Sequence, residues 1–277
     1  MKYDVIDLKD FYPVKGGTLK CIAMSMPWDA GHEDWKRPAV VVVPGGAYRM
    51  VSNREGEPVA MEFLAKGFQV FVLTYLCAPQ GVSYPEQLIE VASAVDFVKT
   101  HAEEYSVNPD EVFVVGFSAG GHLTANLAVE YQNASAKAGV ELDCKPTAVG
   151  LCYPVISRKR GHIASHDNLL CQYSEEEKAI LLKTLDLDEQ VTELTPPCFI
   201  WSTKEDAAVP CENSLSFAME LAKKNIPFEL HVYPNGVHGR STGTFEINDQ
   251  VTPSDARISQ WVENCIAFFR AYCVEKF

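Results

Sequence analysis

VFVVGFSAGGHL, residues 112–123, is the stretch on which the reading of this chain turns. Its first four residues are β-branched or aromatic with no polar alternation, the pattern of a strand covered on both faces. Gly116-Phe117-Ser118-Ala119-Gly120 follows at once, and a helical pattern begins at Ala119 and runs to about residue 131. A strand that turns this abruptly into a helix puts the residue at the corner, Ser118, in a strained backbone conformation with its hydroxyl pushed out above the sheet. The flanking glycines leave room for strand and helix to approach.

Working outward, residues 39–43 (AVVVV) and 70–75 (VFVLTY) are further continuous strand-like runs, joined by residues 148–155, 198–203 and 228–233. Helical spacing marks 57–66, 85–105, 211–224 and 258–271, with Asn108-Pro109-Asp110 as a breaker after the second. Residues 3–8 and 18–24 alternate polar and apolar side chains and predict an antiparallel hairpin with one wet face. Strands alternating with helices predict an α/β fold, a mostly parallel central sheet with helices on both faces, in one domain over 1–277. Residues 157–195 are polar and irregular. They are expected to form a short cap-like insertion over the C-terminal edge of the sheet, where such folds bind ligands.

Composition narrows the function. The 277 residues are 47% hydrophobic and 22% charged, with 24 Lys plus Arg against 37 Asp plus Glu, a net charge of −13. That charge argues against nucleic acid and against an anionic membrane surface as partners. Nine cysteines are scattered without a C-x-x-C pair, which predicts reduced thiols and a cytoplasmic setting rather than zinc or disulfide chemistry. The N-terminal residues are interrupted by charges every few positions, so neither a signal peptide nor a membrane span is expected. Whether the chain forms a homo-oligomer stays open.

A serine hydroxyl is a weak nucleophile and needs a base and an orienting acid. The strand at 198–203 is followed by Lys204-Glu205-Asp206-Ala207-Ala208-Val209-Pro210, and the strand at 228–233 by Pro234-Asn235-Gly236-Val237-His238-Gly239. Both loops leave the same sheet edge as Ser118. His238 is expected to take the Ser118 proton and Asp206 to orient the imidazole, with Glu205 as the rival acid. Pro44-Gly45-Gly46-Ala47-Tyr48 follows the strand at 39–43, so the N–H groups of Gly46 and Ala47, with that of Ala119, are expected to hold an oxyanion. This chemistry needs no metal and no organic cofactor.

With these residues in place, the chain resembles the esterase/lipase branch of the α/β-hydrolases over nearly its whole length. The bacterial xylan-esterase-like and acetyl-esterase-like group shares stretches similar to PGGAYRMVSNREGEPVA, GFSAGGHL, TPPCFIW, EDAAVP and YPNGVHG. The resemblance implies a triad of Ser118, Asp206 and His238, in agreement with the strand-end reading. The chain departs from the hormone-sensitive-lipase type, which has H-G-G-G where Pro44-Gly45-Gly46-Ala47 stands here. Ala47 also lacks the backbone freedom of a glycine.

The expected activity is hydrolysis of a small carboxylic ester through an acyl-enzyme. The polar insertion and the resemblance together point to short acyl groups on a water-soluble, carbohydrate-like alcohol. A formamidase or amidase with the same triad, and a non-catalytic relative that binds a ligand, are the competing readings. Other motifs have plainer explanations. Arg54-Glu55-Gly56-Glu57 reads as a local ion pair or helix cap. His122 is read as packing one turn behind Ser118, His162 and His166 as a solvated loop, and Glu175-Glu176-Glu177 as a solvated helix start.

Overall fold

A computed structural model describes residues 1–25 and 35–274. Eight strands form one sheet: β1 (Lys2–Asp7), β2 (Thr18–Ala23), β3 (Arg37–Val43), β4 (Gln69–Thr74), β5 (Val107–Phe117), β6 (Val149–Cys152), β7 (Cys198–Thr203) and β8 (Phe228–Tyr233), in spatial order β1-β2-β4-β3-β5-β6-β7-β8. The hairpin β1–β2 joins β4 antiparallel, and every pair from β4 through β8 is parallel. Among the described residues, no helix is long and apolar enough to cross a membrane.

The valine runs explain the layering. Along β3, Val41 and Val43 enter one buried cluster and Val40 and Val42 the other, and along β5 Val112 and Val114 separate in the same way from Phe113 and Val115. Each face is therefore covered. Helices α2 (Glu86–Thr100), α3 (Ala119–Ala138) and α6 (Glu212–Lys223) lie on the first face, and α1 (Glu57–Ala65) and α8 (Trp261–Arg270) on the second. Phe113 stacks on Phe269 with ring centroids 4.5 Å apart. Each fully buried side chain of this size contributes about 1.5–3 kcal/mol, so the two layers hold the sheet rigid beneath its loops.

Several boundaries differ from the sequence reading. The second helix stops at Thr100, and Asn108-Pro109-Asp110 lies inside β5, where the pairing with β3 jumps from Arg37–Val107 to Ala39–Val112. Proline cannot donate to the ladder, and the three residues are accommodated as a bulge. Helix α3 continues to Ala138, where Gly139 at φ +74° ends it. Strand β6 ends at Cys152 because Tyr153 turns to φ +37°. The last helix, α8, starts at Trp261, and a further short helix, α7 (Pro253–Ile258), precedes it.

The region 157–195 is not irregular. It carries α4 (Ile163–Leu169) and α5 (Glu175–Leu185), the latter opened by a reciprocal cap between Ser174 and Glu177.

Candidate active site

The strand-to-helix corner behaves as its residues dictate. Ser118 sits at φ +52°, ψ −116°, a conformation that costs energy for any side chain. The sheet holds it there: its N–H donates to Cys152 O at 3.0 Å, and its carbonyl accepts from His122 and Val155. A Cβ on Gly120 would fall 2.2 Å from Val43 O and 2.3 Å from Pro44 O, so this position accepts no side chain and α3 packs directly on the end of β3.

The two loops beyond β7 and β8 bring their side chains to this corner. Ser118 Oγ lies 2.8 Å from His238 Nε2, and His238 Nδ1 lies 2.6 Å from Asp206 Oδ2. Asp206 is 4% exposed, and its Oδ1 accepts from the N–H groups of Ala208 and Val209, both at 2.9 Å. A carboxylate facing Nδ1 fixes the proton on that nitrogen and leaves Nε2 as the acceptor toward Ser118. Glu205 is turned elsewhere. Its carboxylate accepts from Asn235 Nδ2 at 2.8 Å and from Gly236 N at 3.1 Å, which pins the turn before His238 and holds the Glu205 carboxyl below its usual range.

Gly46 and Ala47 line a cavity of about 370 Å³ together with Ser118, Met50, His162 and His238. Among the described residues their N–H groups have no hydrogen-bond partner. Ala119 is the first residue of α3, where the N–H groups have no partner within the helix and the dipole favours negative charge. Gly46 adopts φ +128°, and a Cβ there would meet Met50 O at 2.1 Å. Ala47 and Tyr48 follow at φ +56° and +55° despite their side chains.

Distant groups hold this loop. Gly45 N donates to Glu55 Oε2 at 2.8 Å, Asn168 Nδ2 to Ala47 O at 2.8 Å, Tyr75 OH to Pro44 O at 2.9 Å and Ala78 N to Tyr48 O at 2.9 Å. Tyr48 OH donates to His122 Nδ1 at 2.8 Å, while His122 Nε2 donates to Leu185 O. Burial, with His166 beside it, pushes His122 down to about 3, so it is a neutral acceptor. Packing one turn behind Ser118 is thus what His122 does.

Glu55 and its neighbours depart from the sequence reading. Glu55 neither caps a helix nor pairs with a local cation. It is buried, and its Oε1 accepts from Tyr153 OH at 2.7 Å, which in turn accepts from Ser241 N at 3.1 Å. Burial raises its carboxyl above the ordinary range, against the opposing pull of Tyr153 and the Gly45 N–H. Arg54 donates to Gly239 O and Ile247 O and to Asn248 Oδ1, fastening the segment after His238. The solvated loop expected at His162 and His166 is a helix start. His166 is 1% exposed and packs edge-on against His122, with centroids 5.0 Å apart. Among the described residues, no group of three His, Cys, Asp or Glu side chains is arranged to hold a metal ion.

A family model described as BD-FAE matches residues 29–221. Endo-1,4-beta-xylanase B of Butyrivibrio fibrisolvens is 38% identical over 220 residues, which are 78% of this chain and 34% of that protein. An acetylxylan esterase of Xylanibacter ruminicola is 30% identical over 218 residues, 77% of this chain and 43% of that protein. The chain thus spans between a third and a half of the length of these curated relatives. The crystal structure of an acetyl ester-xyloside bifunctional hydrolase from Caldicellulosiruptor lactoaceticus superposes with a TM-score of 0.80 at 29% identity, covering 97% of this chain and 96% of that one. By family model, sequence and architecture alike, the chain belongs to the BD-FAE family and is an esterase-like α/β-hydrolase.

Proposed function

We propose that this protein hydrolyses short-chain carboxylic esters of hydroxyl-rich alcohols by way of an acyl-enzyme on Ser118. The observation that carries the proposal is the continuous hydrogen-bonded line from Ser118 Oγ through His238 to the buried Asp206 carboxylate. In the first step Ser118 Oγ bonds to the ester carbonyl carbon while its proton passes to His238 Nε2. The carbonyl electrons move onto oxygen, which the N–H groups of Gly46, Ala47 and Ala119 receive. Collapse breaks the bond to the alcohol oxygen, and His238 returns the proton to it. Water, giving a proton to His238 Nε2, then bonds to the acyl carbon, and as the bond to Ser118 Oγ breaks His238 returns that proton to the serine, releasing the acid. Asp206 keeps the imidazole in register and stabilises its charged form.

The small cavity and the polar insertion support short acyl groups, and an acetylated carbohydrate agrees with what the names of two relatives state of those proteins. The test is labelling with a fluorophosphonate followed by peptide mapping, with parallel turnover of acetyl and long-chain esters. Adduct on Ser118 and faster acetyl turnover are expected; adduct elsewhere, or a preference for long chains, sinks the proposal. Asp206→Asn should lower kcat by about 10⁴, and Glu205→Gln should stay within a few-fold of wild type. The reverse order would transfer the acid's role to Glu205.

A further inference from the structure

The cavity over Ser118 contains a side chain that the acyl-transfer steps leave unused. His162 comes from the region 157–195 at the N-cap of α4, with φ +53°, a conformation that side-chain-bearing residues rarely adopt. Its ring lies within 25° of parallel to that of His238, with centroids 6.2 Å apart. Nδ1 is engaged by the hydroxyl of the buried Ser165 at 2.8 Å, which sets the ring orientation. Nε2 has no hydrogen-bond partner among the described residues. Burial, and the nearness of His238, keep the imidazole below its ordinary value, so at neutral pH it offers a hydrogen bond rather than a charge.

The partner of that nitrogen is set by the reaction. His238 must hand its proton to the leaving oxygen, so the departing alcohol lies beside the His238 ring, and His162 faces the same space. An imidazole held at Nδ1 by a hydroxyl presents either a donor or an acceptor at Nε2, according to tautomer, and a hydroxyl group answers both. An alkyl or aryl ester whose alcohol portion carries no second hydroxyl offers no such group.

We propose that His162 is a specificity-determining residue, its Nε2 hydrogen-bonding a hydroxyl on a carbon near the esterified one, so that the site selects esters of polyhydroxylated alcohols such as pentosides. This inference rests on the serine-ester reading above. Loss of the contact penalises only those substrates that make it.

The experiment compares two esters with the same acyl group, a mono-acetylated methyl pentoside and p-nitrophenyl acetate, by kcat/KM, which reports acylation. His162→Phe, which keeps a ring against His238, should lower kcat/KM for the pentoside about tenfold and leave the aryl ester within twofold. His162→Gln, which keeps a hydrogen-bonding group, should recover part of the loss and provides the reading if the Phe variant melts early. Equal falls on both esters, or no fall on either, overturn the inference while labelling at Ser118 leaves the esterase reading standing. A wild-type protein that neither labels at Ser118 nor cleaves either ester overturns both.

Discussion

The corner at Ser118 and the loop from Pro44 to Tyr48 both hold backbone in left-handed conformations, and they do so by different means. At the corner one strained residue, Ser118 at φ +52°, is held by its own strand, the adjacent strand and the first turn of its own helix. The loop strains Ala47 and Tyr48 in succession and is held by groups from β4 onward, from α3, from α4 and from Glu55. A corner of the first kind draws only on its own segment and the neighbouring strand, through Cys152 O and Val155 N. The second kind exists only once the whole molecule has assembled, because each strained residue costs on the order of 1–3 kcal/mol that the tethers must offset.

That contrast can be broken or sharpened by substitution. The largest effect belongs to the corner: Ser118→Ala should lower kcat by about 10⁶ with the melting temperature little changed, because the conformation is imposed by the neighbours and not by the hydroxyl. Next, Glu55→Ala leaves the Gly45 N–H and Tyr153 OH without their partner. It should lower kcat by about 10², the scale of losing an oxyanion donor. Unchanged turnover there would make the loop as self-contained as the corner. Asn168→Ala removes one hydrogen bond to the Ala47 carbonyl and should reduce kcat about fivefold, with Ser118 still labelled by fluorophosphonate.

The smallest effect is on stability. Glu90 Oε2 accepts from Leu76 N, just before the turn whose Ala78 N–H holds Tyr48 O. Burial, with Glu86 nearby, pushes the Glu90 carboxyl from 4.5 up to about 8. Between those values the folded protein keeps a proton that the unfolded chain releases, so stability falls as pH rises through that window. Thermal melts from pH 5 to 9 should show this decline in the wild type and a flatter profile in Glu90→Gln.

The same contrast explains what could be read in advance. The parallel sheet, its helices and the strand-end positions of Ser118, Asp206 and His238 follow from runs such as AVVVV and from short local patterns. Such patterns report neighbours close in sequence. Tyr153 and Asn168 give no local signal, and Glu55 gives a misleading one, because their partners lie 88 and 98, 121, and 98 and 10 residues away. The helix start read at Glu175-Glu176-Glu177 opens α5, and only its extent to Leu185 is masked by the polar composition of its surroundings. The solvated loop read at His162 and His166 follows from Gly161 and the polar residues around them, whereas one ring lines the cavity and the other is buried against His122.

Beneath the cavity, Gly45 N, Glu55, Tyr153 OH and Ser241 N form one chain of contacts, and Ser241 Oγ and Gly239 O are fastened to Arg54. The loop that turns its N–H groups to the cavity and the loop that carries His238 therefore share a single strut. In the proposed reaction, that strut ties the placement of the imidazole to the placement of the amides, so a change that loosens one is expected to loosen the other.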